Sequence, residues 1–173
     1  EKASGIAGTA LSSLVSGGVI LAAIILLFLK PLLTLFGATA DVMPYAVDYT
    51  GITALGLPFY ILSVGGNHIV RADRSPTYSM VCIMIGAIIN TILDPLFIFG
   101  FGWGIKGAAW ATVIGQVASG VLVIVYFCKF RKMYLSGGML KPKLSYLKVI
   151  ISLGLASCIN QIAMAIVQIV LNN

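Results

Sequence analysis

Asp94 is the one acidic residue deep inside an apolar stretch, in the run IINTILDPLFIFG. A charge in hydrocarbon costs about 2.5–3.5 kcal/mol even on a lenient insertion scale. A helix retains such a group only where it faces a bundle interior, a cavity or a partner. Asn90 stands four residues earlier, a spacing that puts both side chains on one helical face. Pro95 follows and has no N–H, which leaves the carbonyl of Thr91 without its helical partner. A glycine-rich turn near Gly102 then reverses the chain; Asp94 lies eight residues before that point and Thr112 ten after it. At a helical rise both fall roughly 12–15 Å from the turn. A carboxylate, a carboxamide and a hydroxyl can therefore share one depth across a helical hairpin, with Gln116 level with Asn90.

These are hard oxygen groups. They suit a small hard cation such as Na+, or the carboxylate can carry a proton in its place. The same groups can equally form a polar clamp between helices without an ion, each bond worth about 1–2 kcal/mol at most. Spacing alone leaves both readings open. Neutral polar residues further on, Asn160, Gln161 and Gln168, are candidates to line a cavity or to bond neighbouring helices. His68 follows Asn67 at the end of an apolar run, a position that suits a membrane interface. No nucleophile–base pair and no HExxH word is present, which argues against an intramembrane enzyme, and no cofactor is expected beyond such a cation or proton.

The elements that hold these groups follow from composition. The chain has 173 residues, of which 60% are hydrophobic and 9% charged, and a mean hydropathy of +1.06. A soluble domain carries about 25% charged residues. An all-α integral membrane protein is the class that remains. Five segments are long enough to cross a bilayer: residues 5–35, 44–69, 76–99, 105–130 and one beginning near Tyr146. Pro44 and Pro76 suit a first helical turn. Gly100, Gly102 and Gly104 break the chain between the third and fourth segments. Pro58 and Pro95 are hinge candidates, Pro58 because it should bend the second segment. In the fourth segment Ala108, Ala111, Gly115 and Ser119 recur at three- and four-residue spacing, a pattern for close helix packing; Gly65 and Gly66 suit the same role.

The net charge of +6 is not a nucleic-acid signal, because the basic residues sit in short turns between apolar runs. With the chain start in the cytoplasm, Lys2, Arg71, Arg74, Lys129, Arg131, Lys132, Lys141, Lys143 and Lys148 fall inside and only Lys30 and Lys106 outside. Such a bias sets orientation in a plasma or inner membrane, with the basic 129–148 loop cytoplasmic. Tyr45, Tyr49 and Trp103 then suit the outer interface, and Tyr126, Phe127 and Tyr146 the inner one. Cys82, Cys128 and Cys158 are widely spaced and read as small core residues. The chain opens at Glu1 and stops at Asn173 inside an apolar pattern, so it reads as an internal segment of a longer protein. Three parts are expected: 1–132 in one lobe, 133–145 as a cytoplasmic linker, and 146–173 as the start of the next lobe.

The words NHIVRADRSPTYSM and INTILDPLFIFGFGWGIKGAAWATVIGQ resemble the multidrug and toxic compound extrusion (MATE) transporters. The resemblance implies twelve helices in two six-helix lobes, of which this chain supplies the third to sixth, the linker and part of the seventh. It also implies export of organic cations and other amphipathic drugs in exchange for protons or sodium. The expected partners are those drugs, the lipid bilayer and the remaining helices of the parent chain. One branch of the family has a cation site built from an Asn and an Asp four apart on the fifth helix and a Thr on the sixth; Asn90, Asp94 and Thr112 match it. A further Asp of that site, from the first helix, has no counterpart in this chain. Another branch carries an acid on the seventh helix, and none occurs here as far as Asn173. Arg74 departs from the family, which commonly has a glycine there. The alternatives are a flippase for lipid-linked precursors or polysaccharide in the same superfamily, or a structural helical bundle that transports nothing.

Overall fold

The computed structural model describes residues 2–130 together with 150–151, 155, 159, 161–164 and 167. Among them there is no strand. The chain divides into two compact units, one of residues 13–133 and one of residues 1–12 with 134–173. In the second unit the described positions between 150 and 167 are helical, and Ile151, Leu155 and Ile159 expose an apolar row at four-residue spacing. The linker and most of the fifth predicted segment, including Tyr146, Cys158, Asn160 and Gln168, lie outside the described residues.

Helix α1 runs Lys2–Leu27 and α2 Leu29–Leu35. The sequence reading expected one helix over 5–35. The break falls at Phe28 because Pro31 has no N–H for the carbonyl of Leu27 and its ring crowds that oxygen. Helix α3 is Met43–Ala72, with Pro44 in its first turn and Pro58 inside. Helix α4 is Pro76–Pro95 and passes into a π-helical turn, Leu96–Gly100. Helix α5 is Ile105–Val125 and passes into a second π-helical turn, Tyr126–Phe130. Among the described residues four stretches are long and apolar enough to cross a bilayer: Ile6–Leu27, Met43–Ala72, Pro76–Gly100 and Ile105–Cys128.

The packing is that of a membrane bundle. Large side chains such as Val19, Leu27, Ile88 and Ile92 point outward, while Ala54, Ala109 and Ala111 are buried. Lipid tails are as apolar as leucine, so burying a large side chain brings little; close backbone approach brings dispersion contacts. Helix α5 packs most extensively on α3, then on α4. Gly86 and Gly115 set the α4–α5 crossing: a Cβ on either would lie 2.9 Å or 2.7 Å from the other's carbonyl oxygen. Gly18 of α1 likewise faces Pro58, where a Cβ would lie 2.8 Å from the proline Cα. The proline in α3 is thus covered by a helix that has cleared its own side chain away.

The helix ends are closed by hydrogen bonds of one pattern. After α2, Gly37 takes φ 86°, with Gly37 N–H bonding the Thr34 carbonyl and Ala38 N–H that of Leu33. After α3, Arg74 N–H bonds the Arg71 carbonyl and Ser75 N–H that of Val70. Both are Schellman caps, which need a left-handed residue. At the second it is Arg74, at φ 60°. That angle favours glycine, and the arginine adopts it all the same. Between α4 and α5, Gly102 and Gly104 also take positive φ, 67° and 54°, as their placement predicted.

Candidate functional site

The crossing of Gly86 and Gly115 draws α4 and α5 together just where Asn90 and Thr112 stand. Thr112 Oγ1 donates to the Ala108 carbonyl at 2.9 Å, which fixes its rotamer and leaves its lone pairs available. Asn90 Nδ2 lies 3.5 Å from that oxygen, a long contact that gives little energy. The two residues are therefore adjacent but only loosely bonded. Asp94 stands one turn beyond Asn90, half-buried, and no hydrogen bond or ion pair joins it to another described residue. Pro95 ends the regular α-bonding after it, and the chain continues with a five-residue closure, Phe101 N–H to the Leu96 carbonyl at 2.9 Å. Among the described residues no three His, Cys, Asp or Glu side chains converge. An ion here would be met by one carboxylate and neutral oxygens.

Asn90 and Thr112 open onto a cavity of about 360 Å³ between α3, α4 and α5. Ser63, Asn67, Gln116 and Ser119 line its polar wall, and His68 and Arg71 stand at one end. Ser63 and Ser119 hydroxyls bond each other at 2.6 Å, and Asn67 Nδ2 donates to the Ser63 carbonyl at 2.8 Å. Two acceptors have no donor: Asn67 Oδ1 and Gln116 Oε1 are buried and unbonded. Gln116 Oε1 rests against Gly56, in the space that a Cβ there would take. Unbonded carbonyl oxygens inside an apolar bundle are costly unless a water, a ligand or an ion supplies their partner. Asn90, Thr112 and Gln116 are thus brought together on one cavity, and Asp94 lies beyond its rim. Gln161 is exposed on its helical stretch.

Sequence reasoning missed the cluster at the opposite end of α4. Tyr126 is 1% exposed and Asp73 7%. The Tyr126 hydroxyl donates to Asp73 Oδ2 at 2.7 Å and takes a bond from Ser75 at 2.8 Å. Tyr78 stacks on it at 4.9 Å and donates to the Leu122 carbonyl at 3.0 Å. Tyr126, expected near the inner membrane interface, is a buried tie between the turn after α5 and the α3–α4 turn. No local signal could have shown this, because the partners are 53 residues apart. Cys82 is buried as expected, whereas Cys128 is exposed. At the far end Lys106 pairs with Asp48 at 3.2 Å, and Phe97, Phe101 and Trp103 form a ring cluster with centroids 5.3–5.8 Å apart.

Comparison with known proteins decides the family. The MatE family model matches residues 1–96. The chain belongs to the MatE family. With four helices able to cross a bilayer among its described residues, this MatE chain is a multi-pass membrane protein. It is 30% identical over 161 residues to the multidrug export protein MepA of Staphylococcus aureus strain bovine RF122 / ET3-1. It is 32% identical over 162 residues to MepA of Staphylococcus haemolyticus strain JCSC1435. These matches cover 90% and 93% of the chain but 36% of each relative. The fold is similar to that of a MATE transporter in the bent conformation, with TM-score 0.79, 24% identity, and coverage of 95% of this chain and 42% of that one. An inward-facing MATE family transporter is similar at TM-score 0.77 and 22% identity, covering 95% and 43%. The MatE chain therefore supplies a little over a third of the length of the relatives it matches.

Proposed function

We propose that the protein to which this chain contributes is a cation-coupled antiporter, exporting organic cations and amphipathic drugs by alternating access in exchange for Na+ or H+. The observation that carries this reading is the polar cavity between α3, α4 and α5, with Asn90 and Thr112 on its wall and two buried acceptors without donors. The printed function of the relatives, multidrug export, supports it. In this mechanism Asp94 is the coupling carboxylate, with Asn90 and Thr112 as neutral oxygen neighbours. Its lack of a described partner suits a group whose partner is a mobile ion. Proton and sodium compete for one carboxylate, and its occupancy biases the lobe between conformations that differ in drug affinity. Drug and ion affinities are then reciprocally linked. The chain start and the 129–148 loop face the cytoplasm in this reading, because that places most basic residues inside.

The test is efflux of a fluorescent organic cation from vesicles holding the full-length protein, under imposed pH or Na+ gradients, with and without Asp94→Asn. Gradient-driven export by the wild type and its loss in the variant, at equal reconstitution, is the expected result. The gradient that drives export names the ion. Export by the variant equal to the wild type would reduce the Asn90–Asp94–Thr112 group to an interhelical clamp.

A further inference from the structure

Helix α5 turns one side to the cavity and the other away from it. Thr112, Gln116 and Ser119 line the cavity, and the helical period puts Trp110, Ile114 and Val121 on the opposite side. All three are exposed, an apolar row suited to acyl chains. Lys106 stands one turn beyond Trp110, near the start of the span. Trp103, Lys106 and Trp110 together line a surface hollow there. On α3, Asp48 and Leu55 are seven residues apart on one stripe, and Leu55 is exposed. Lys106 Nζ lies 3.2 Å from Asp48 Oδ2, and the two side chains remain 59% and 44% exposed. Two opposite charges thus stand side by side close to the ends of their spans. Indoles flank the cation, and apolar surface leads from it toward the middle of the span.

We propose that this pair is the headgroup site of a phosphatidylethanolamine molecule. The phosphate takes the Lys106 ammonium, the ethanolamine ammonium takes Asp48, and the acyl chains lie along Trp110, Ile114 and Val121. An exposed ion pair is weak, because water screens it and holding two long side chains together costs entropy. Opening it to admit a headgroup that carries both charges replaces one contact by two. The ethanolamine nitrogen has three N–H donors for the carboxylate, and such charge-assisted bonds are the strong ones. Phosphatidylcholine has the same two charges but no N–H on its nitrogen. Phosphatidylglycerol has no cation and leaves Asp48 facing a phosphate. The indoles of Trp103 and Trp110 suit the headgroup level, where an apolar ring with one N–H is at home. This inference stands apart from the question of what the protein transports.

The test uses the full-length protein in mild detergent, titrated with each of the three phospholipids at one acyl composition. Bound lipids are counted by native mass spectrometry. One phosphatidylethanolamine molecule is expected to bind at lower concentration than either of the others. Asp48→Asn should weaken it about tenfold and shift the other two lipids less than about twofold, and Lys106→Gln should weaken it about as much as Asp48→Asn does. N-methyl and N,N-dimethyl phosphatidylethanolamine should fall in order between the parent lipid and phosphatidylcholine, because each methyl removes one donor. That series needs only the wild type, so it decides even where a variant does not fold. Equal binding of phosphatidylethanolamine and phosphatidylcholine would overturn the proposal and leave an unselective lipid face. Tightest binding of phosphatidylglycerol overturns it in favour of an anionic-lipid site on Lys106 alone. Unchanged lipid affinities in both variants, with a lower melting temperature, make the pair a fastening between α3 and α5. A dimer that Trp110→Ala abolishes, and that forms without added lipid, assigns the face to a second copy of the protein instead.

Discussion

Helix α4 has a carboxylate near each end, and the protein treats them in opposite ways. Asp73, in the turn before α4, is 7% exposed, yet Tyr126 donates to it from the turn after α5 and Ser75 bonds the same hydroxyl. Tyr78 closes over the ring. Asp94, in the last turn of α4, is half-buried and has no described partner; its nearest polar neighbour along the face, Asn90, makes only a long contact with Thr112. A satisfied carboxylate is a fastening, because breaking its bonds leaves a buried charge uncompensated. One helix thus has a bonded acid at one end and, at the other, an acid with no partner among the described residues.

The sharpest way to break this comparison is to neutralise each acid's environment and ask which property changes. Asp94→Asn should lower gradient-driven efflux by more than about tenfold, the scale of coupling between two ligands, with little change in melting temperature in detergent. A variant that unfolds instead would make Asp94 a second fastening. Next in size is the crossing between the two sites. Gly115→Leu places a Cβ 2.7 Å from the Gly86 carbonyl and should destabilise the bundle by about 1–3 kcal/mol through overpacking. Gly17→Ala, where nothing lies within 4 Å, is its control and should be neutral, both variants being read by the monodisperse fraction left on size exclusion after heating. Tyr126→Phe removes the donor to Asp73 and should cost about 1–3 kcal/mol, seen as a lower melting temperature, while the ion dependence of transport stays as in the wild type. A shift in ion dependence would erase the distinction between joint and site. The smallest expected effect is a gain. Arg74→Gly relieves the left-handed strain at φ 60° and should raise stability by about 1 kcal/mol, less what the glycine gains in unfolded-state freedom. Calorimetric or fluorescence melting of the full-length protein would detect it.

Much of this was legible in the residues. Apolar runs of bilayer length announced four of the helices, because a span needs continuous hydrophobicity whatever packs beside it. Glycines at 102 and 104 announced a turn, and small residues at 111, 115 and 119 announced the face of α5 that α3 and α4 approach. The four-residue spacing of Asn90 and Asp94 named the face on which to look. Other features were present but misread. Pro31 carries the signal for the break at Phe28, inside an apolar run that reads as one continuous helix.

Local spacing could not decide which polar groups meet. The Tyr126–Asp73 bond spans 53 residues and depends on how α5 lies against the α3–α4 turn. The cavity wall draws Ser63 and Asn67 from α3, Asn90 from α4 and Gln116 from α5, and no periodicity within one helix relates them. Hydropathy and helical period act along the chain, so the sequence by itself determined the spans, their turns and the presence of a buried acid. Whether an acid is bonded or left open depends on the distances between helices. Those are set by the close approach at Gly86 and Gly115, and only the tertiary structure could decide them.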